Sequence, residues 1–341
     1  MMRSLIGLLS LLLCTALFGC DKPSAPAGTT PKGGSGAARV VEREELRLVT
    51  LSPALGLMLQ DLGLEDRVVG THDFDRALGG SIPRVGSLDG IDYEALLTCA
   101  PTHVLIEING GSPIPARLRT LADEHGWILR RVGSLNTLDD IARTIDDLFL
   151  SFVSPPEAPE ENVIGFSDPA ERFERTMPSE SFARSIDDRG PRVRGAGLVL
   201  LLGQASPPGA IGPKSFHYQV LTRIGGQHAL VTGGMWQELD AEDVQRLSPD
   251  GIVLIQPRDP TPDDRFVEPE APGVPELLQM LGAVGELDIP AIRDGRVALI
   301  DDPASLVPAG SSMGAFADSL AAILEAWTAQ RTGGERPGTA P

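Results

Sequence analysis

From Leu46 onward, short runs of consecutive apolar residues alternate with stretches in which apolar positions recur every three or four residues. The first pattern is that of a buried strand and the second that of an amphipathic helix; their alternation predicts an α/β fold. Residues 46–51 read as a strand. Ser52 and Pro53 read as an N-cap and first helical residue, and the helix that follows is stopped near Leu62 by Gly63. Then come a strand at 67–70, a short helix at 92–99 ended by Ala100-Pro101, a strand at 103–107, a helix at 116–125 and a strand at 127–132. Together these make a first lobe, 46–135.

Residues 136–190 break the alternation. A long helix is predicted over 136–152, with Leu138, Ile141, Ile145, Leu148 and Phe149 at helical spacing. A Pro/Glu-rich interruption at 154–160 and a second helical stretch near 169–186 follow. The second lobe, 191–330, resumes with a strand at 197–202, helices at 215–224 and 241–247, and a strand at 252–256. An acidic, Pro-rich insertion (257–272) precedes a helix near 274–281, a strand at 297–301 and a last helix at 310–328, and residues 331–341 read as a disordered tail.

The two lobes share a repeat. Ile91-Asp92-Tyr93-Glu94, then Pro101, then Val104-Leu105-Ile106 is matched by Leu239-Asp240-Ala241-Glu242, then Pro249, then Ile252-Val253-Leu254. Asp92 and Asp240 suit helix N-caps, and the glutamates fall in the first turn, where the helix dipole favours negative charge. The expected architecture is two Rossmann-like α/β lobes joined by a long helical linker, a clamp that binds its ligand between lobes.

Ahead of the lobes the pattern is different. Arg3 and the apolar run 5–13 form a signal peptide (1–19), too short to span a membrane. It ends in Leu17-Phe18-Gly19-Cys20, which resembles a bacterial lipobox. Cys20 is therefore the expected lipidation site, carrying a diacylglyceryl group and an amide-linked acyl chain such as palmitate. Residues 20–45 supply the lipidated cysteine and a flexible tether rich in Pro, Gly, Ser, Thr and Ala. The expected location is the cell envelope, lipid-anchored and facing the periplasm or the exterior.

Composition narrows the function. The formal net charge of −18 becomes −19 once Arg3 is removed, which argues against nucleic acid as a partner. With Cys20 lipidated, only Cys99 remains in the mature chain, so no intramolecular disulfide is available. No phosphate loop or dinucleotide fingerprint is present, and Gly310–Gly314 departs from the spacing of a nucleophile elbow. An enzyme is not expected. Of the five histidines, His72 beside Asp73 and His217 beside Tyr218 sit near expected cleft loops, either as ligands to a metal inside the cargo or, more ordinarily, as polar loop residues.

Arg47–Ala54, Val68-Val69-Gly70, Pro83-Arg84-Val85-Gly86 and the two repeat segments resemble the helical-backbone periplasmic substrate-binding proteins of ABC importers, which handle vitamin B12, ferric siderophores and haem. The likeness is strongest to the vitamin B12-binding branch, through Gly203, Pro207-Pro208, Gly212, Lys214-Ser215, Gln219-Val220-Leu221 and Gly225-Gly226. It covers roughly 46–135 and 193–329. The resemblance implies that Glu94 and Glu242 dock on the permease, that Phe74 and Trp236 place aromatic rings in the cleft, and that lobe closure is modest. Leu88, Phe216, His217 and Asp301 are further ligand-facing candidates. It also implies a monomer working with a permease dimer and its ATPase, with no resident cofactor or metal, since the corrinoid or iron-complex cargo brings its own cobalt or iron. A haem or ferric-siderophore receptor, or a non-transport envelope protein on the same fold, are the alternatives. Leu88, Gly209, Asp302 and Pro303 stand where the vitamin B12-binding branch has aromatic residues, and His228 stands where asparagine is usual.

Overall fold

A computed structural model describes residues 46–75, 78–87, 90–108, 112–154, 177–188, 193, 195–256, 272–302, 305 and 307–334. The signal peptide, Cys20 and the tether lie outside them, as do Leu88, Pro303 and the insertion at 257–271.

The first lobe is a six-stranded sheet built from β1 (Leu48–Thr50), β2 (Val68–His72), β3 (Arg84–Ser87), β4 (Gly90–Ile91), β5 (His103–Glu107) and β6 (Ile128–Val132). The strand order is β4-β3-β2-β1-β5-β6, parallel except for the antiparallel edge strand β4. Helices α1 (Pro53–Asp61), α2 (Tyr93–Cys99) and α3 (Ala116–His125) make the connections. Val49, Val104 and Leu105 are fully buried, as apolar runs in parallel strands require.

The linker consists of α4 (Leu138–Phe152) and α5 (Pro178–Asp187). Thr137 and Asp140 form a reciprocal capping box at the start of α4; of the predicted stripe, Leu138, Ile141, Ile145 and Leu148 are buried, whereas Phe149 is half-buried and Phe152, one turn on, is buried instead. Of the predicted second helical stretch, 169–186, the part among the described residues is helical as α5, and residues 169–176 lie outside them.

The second lobe contains β7 (Leu198–Gln204), β8 (Gly209–Ile211), α6 (Phe216–Arg223), β9 (Gln227–His228), β10 (Trp236–Glu238), α7 (Ala241–Leu247), β11 (Gly251–Ile255), α8 (Val274–Met280), α9 (Pro290–Arg293), β12 (Val297–Ile300) and α10 (Gly310–Gly334). The order is β10-β8-β7-β11-β12, with β9 also paired to β7. β7, β9, β11 and β12 run parallel, whereas β8 and β10 add an antiparallel edge. Helix α10 continues past the predicted end at Thr328, where Arg331 pairs with Asp250, so residues 331–334 belong to the helix and not to a tail.

One apolar cluster runs through all three parts. It joins Leu48, Leu55 and Met58 of the first lobe to Ile141 and Ile145 of α4, Ile186 of α5, Val199 and Val220 of the second lobe, and Phe316 and Leu320 of α10. Polar ties reinforce it: the Leu138 N–H donates to Gln219 Oε1 at 2.8 Å, and the Ser311 N–H donates to Asp61 Oδ2 at 2.9 Å. The lobes are thus joined by packing as well as by chain.

Candidate functional site

In open parallel sheets the crevice at the carboxyl ends of the central strands is the usual ligand site. In the first lobe that edge carries Ser52 after β1, Asp73 and Phe74 after β2, Ser87 at the end of β3 and Glu107 at the end of β5. Ser52 holds the backbone position of an N-cap, but its hydroxyl caps nothing in α1; it donates instead to Glu107 Oε2 at 2.8 Å. A pocket of about 650 Å³ opens along this edge, lined by Asp73, Arg84, Gly86, Ser87, Ile91 and Tyr93 among others.

Phe74 stands on a braced loop. Its N–H donates to His72 Nδ1 at 3.1 Å, and its ring lies 5.7 Å from the His72 ring at 29°. Arg84 Nη1 donates to the carbonyls of His72 and Asp75, while buried Asp75 accepts from Thr71 Oγ1 and from the Leu78 N–H. Burial lowers the His72 pKa, against the opposing pull of Asp73 and a contact with the Ser87 backbone, so the ring stays neutral and Nδ1 remains an acceptor. His72 therefore braces Phe74 rather than facing a ligand metal.

On the second lobe, Trp236 starts edge strand β10 and pairs with Ile211 of β8. Phe74 (51% exposed) and Trp236 (46%) are the only exposed Phe, Tyr or Trp side chains among the described residues. Each lobe contributes one. The other second-lobe candidates behave differently. His217 is sealed between Phe216 (ring centroids 3.9 Å apart) and Phe316 (4.8 Å), with Nε2 at 3.2 Å from the Ser305 carbonyl. Burial pushes its pKa down to about 4. Phe216 is buried as well. Neither presents surface to a ligand, which corrects the expectation placed on both. Asp301, after β12, is half-buried.

His228 also proves to be internal. Its Nδ1 accepts from the Leu230 N–H at 2.8 Å, and Nε2 lies 3.3 Å from the Leu201 nitrogen. Burial lowers its pKa to about 4. Among the described residues no three His, Cys, Asp or Glu side chains converge as metal ligands, and no helix is long and apolar enough to cross a membrane.

The sequence repeat becomes a structural one. Asp92 caps α2 by accepting from the Glu94 and Ala95 N–H groups, both at 3.0 Å, and Asp240 caps α7 by accepting from the Asp243 N–H at 2.7 Å. The Asp240 backbone N–H, and then Arg246, hold the Asp243 carboxyl below its usual range. Each helix has seven residues, buries its fourth (Leu96 or Val244) and ends on a left-handed non-glycine residue, Ala100 (φ 42°) or Ser248 (φ 44°), before a proline. Each exposes the glutamate at its second position, Glu94 or Glu242.

This is the two-lobed fold of the helical-backbone periplasmic binding proteins. Similar solved structures include the periplasmic haem-binding protein RhuT from Roseiflexus sp. RS-1, at a TM-score of 0.60 and 20% identity over 83% of this chain and 99% of that one. The haem-binding protein HutB of Vibrio cholerae gives 0.60 at 17% identity (82% and 99%), and the vitamin B12-binding protein BtuF of Vibrio cholerae gives 0.56 at 15% (82% and 97%). Haem binders and a vitamin B12 binder thus share the architecture to a similar degree. No protein-family model and no curated protein matches the chain.

Proposed function

We propose that this protein is the substrate-binding component of an ABC importer, anchored through Cys20 and delivering a corrinoid or iron complex captured between its lobes. It is a receptor and not an enzyme. The observation that carries the reading is the duplicated, Asp-capped helix that exposes one glutamate at the same position in each lobe. A pair of fixed negative charges suits a symmetric pair of basic sockets, where charge sets register and capture rate more than affinity. The half-exposed Phe74 and Trp236, one per lobe, suit a bulky cargo with flat surfaces, and they favour haem and corrinoid alike.

The test separates docking from capture. Glu94→Lys with Glu242→Lys is expected to leave ligand affinity within about twofold while uptake falls at least about tenfold. Full uptake by the double variant would remove the docking role.

A further inference from the structure

Gly203 and Gly209 form a berth for Trp236. A Cβ on Gly209 would lie 2.0 Å from Trp236 Cζ2 and 2.5 Å from Cη2, and a Cβ on Gly203 would lie 2.6 Å from Cζ3. The indole therefore starts on edge strand β10, crosses the backbone of β8 at Gly209 and reaches Gly203 near the carboxyl end of β7, the central strand of the lobe. Neither glycine has a positive φ. Alanine could adopt either backbone conformation, so what these positions require is the absence of a side chain.

We propose that Gly203 and Gly209 are positioning residues, which lay the Trp236 indole flat across β8 and β7 so that its outer face meets the cargo as a planar platform. The inference rests on the receptor reading for its ligand, but the berth itself does not. Gly209, which stands where the vitamin B12-binding branch has an aromatic residue, is then no loss of stacking surface. The ring at this place comes from β10, and the glycine makes room for it. A ring held on backbone keeps one face dry and loses little rotamer freedom on binding, which suits stacking on a flat π-system.

The experiment uses the full mature chain with Gly203→Ala, Gly209→Ala, Trp236→Leu and the two double variants Gly203→Ala/Trp236→Leu and Gly209→Ala/Trp236→Leu. Trp236 emission is isolated by subtracting the spectrum of the matching Trp236→Leu protein, which removes Trp127 and Trp327 from the signal. Each alanine is expected to shift Trp236 emission to the red and raise its quenching by acrylamide. Gly209→Ala is expected to lower the Tm, and in the Trp236→Leu background to lower it much less, because the clash has gone. Hemin and cyanocobalamin serve as probes, and the probe that wild type binds is expected to bind about tenfold more weakly to Gly209→Ala. Unchanged Trp236 emission in both alanine variants, or equal Tm losses in both backgrounds, would overturn the berth. A displaced indole with unchanged probe affinity would overturn its positioning role. Failure of wild type to bind either probe would count against the receptor reading instead, and the emission and Tm comparison still decides the berth.

Discussion

At the scale of single residues, the histidines mark the limit of what a linear reading reaches. His217 follows the N-cap Ser215 and the buried Phe216, and nothing local says that the first turn of α6 points inward to Phe316 and the Ser305 carbonyl. His228 is similar: its partners, Leu230 and Leu201, are set by the pairing of β9 with β7. Both rings are neutral in the fold, with pKa values near 4 against about 6.5 when unfolded. The unfolded chain therefore binds more protons than the native one across that interval. Their contribution is complete above about pH 6.5 and is lost as pH falls toward 4, by about 3 kcal/mol for each ring. Urea unfolding at pH 7 and pH 4.5 is expected to show this loss. His228→Asn, which can still accept from the Leu230 N–H, should make the protein less sensitive to acid; an unchanged pH dependence would contradict the assignment.

At the scale of elements, long periodic segments were legible and short edge strands were not. Strand β5 and helices α3 and α7 fall where the sequence pattern places them, because several apolar positions and a distinct stop define each. β8 (Gly-Ala-Ile) and β10 (Trp-Gln-Glu) have three residues apiece, with no alternation to detect, and exist through pairing with each other and with β7. The berth for Trp236 was hidden for the same reason, since its three parts come from three strands. The polar links of Ser52 to Glu107 and of Leu138 to Gln219 join residues far apart in the chain, which single-sequence spacing does not report. Helix α4 is the element on which the linker depends, and its capping box gives a local handle. Thr137→Ala is expected to lower stability by about 1 kcal/mol in denaturant unfolding, without altering the linker stripe. No loss would show that the tie to Gln219 alone holds that end.

At the scale of the whole molecule, the repeat predicts two lobes, whereas the packing adds a shared core. The buried cluster passes from β1 and α1 through α4 and α5 into β7, α6 and α10, and α10 is also tied back to α1 through Ser311 and Asp61. Such a joint opposes a wide hinge motion and couples the lobes thermodynamically. Thermal unfolding followed in the far and near ultraviolet is expected to give coincident transitions. Two resolved transitions would mean that the lobes unfold independently. The central claim, capture of a flat metal complex between Phe74 and Trp236, is tested most directly by titrating mature protein with hemin and with cyanocobalamin while following tryptophan fluorescence. The account predicts saturable quenching by at least one of them, weakened about tenfold by Phe74→Ala and by Trp236→Ala. The contradicting result is no saturable binding of either probe, or binding that neither substitution alters.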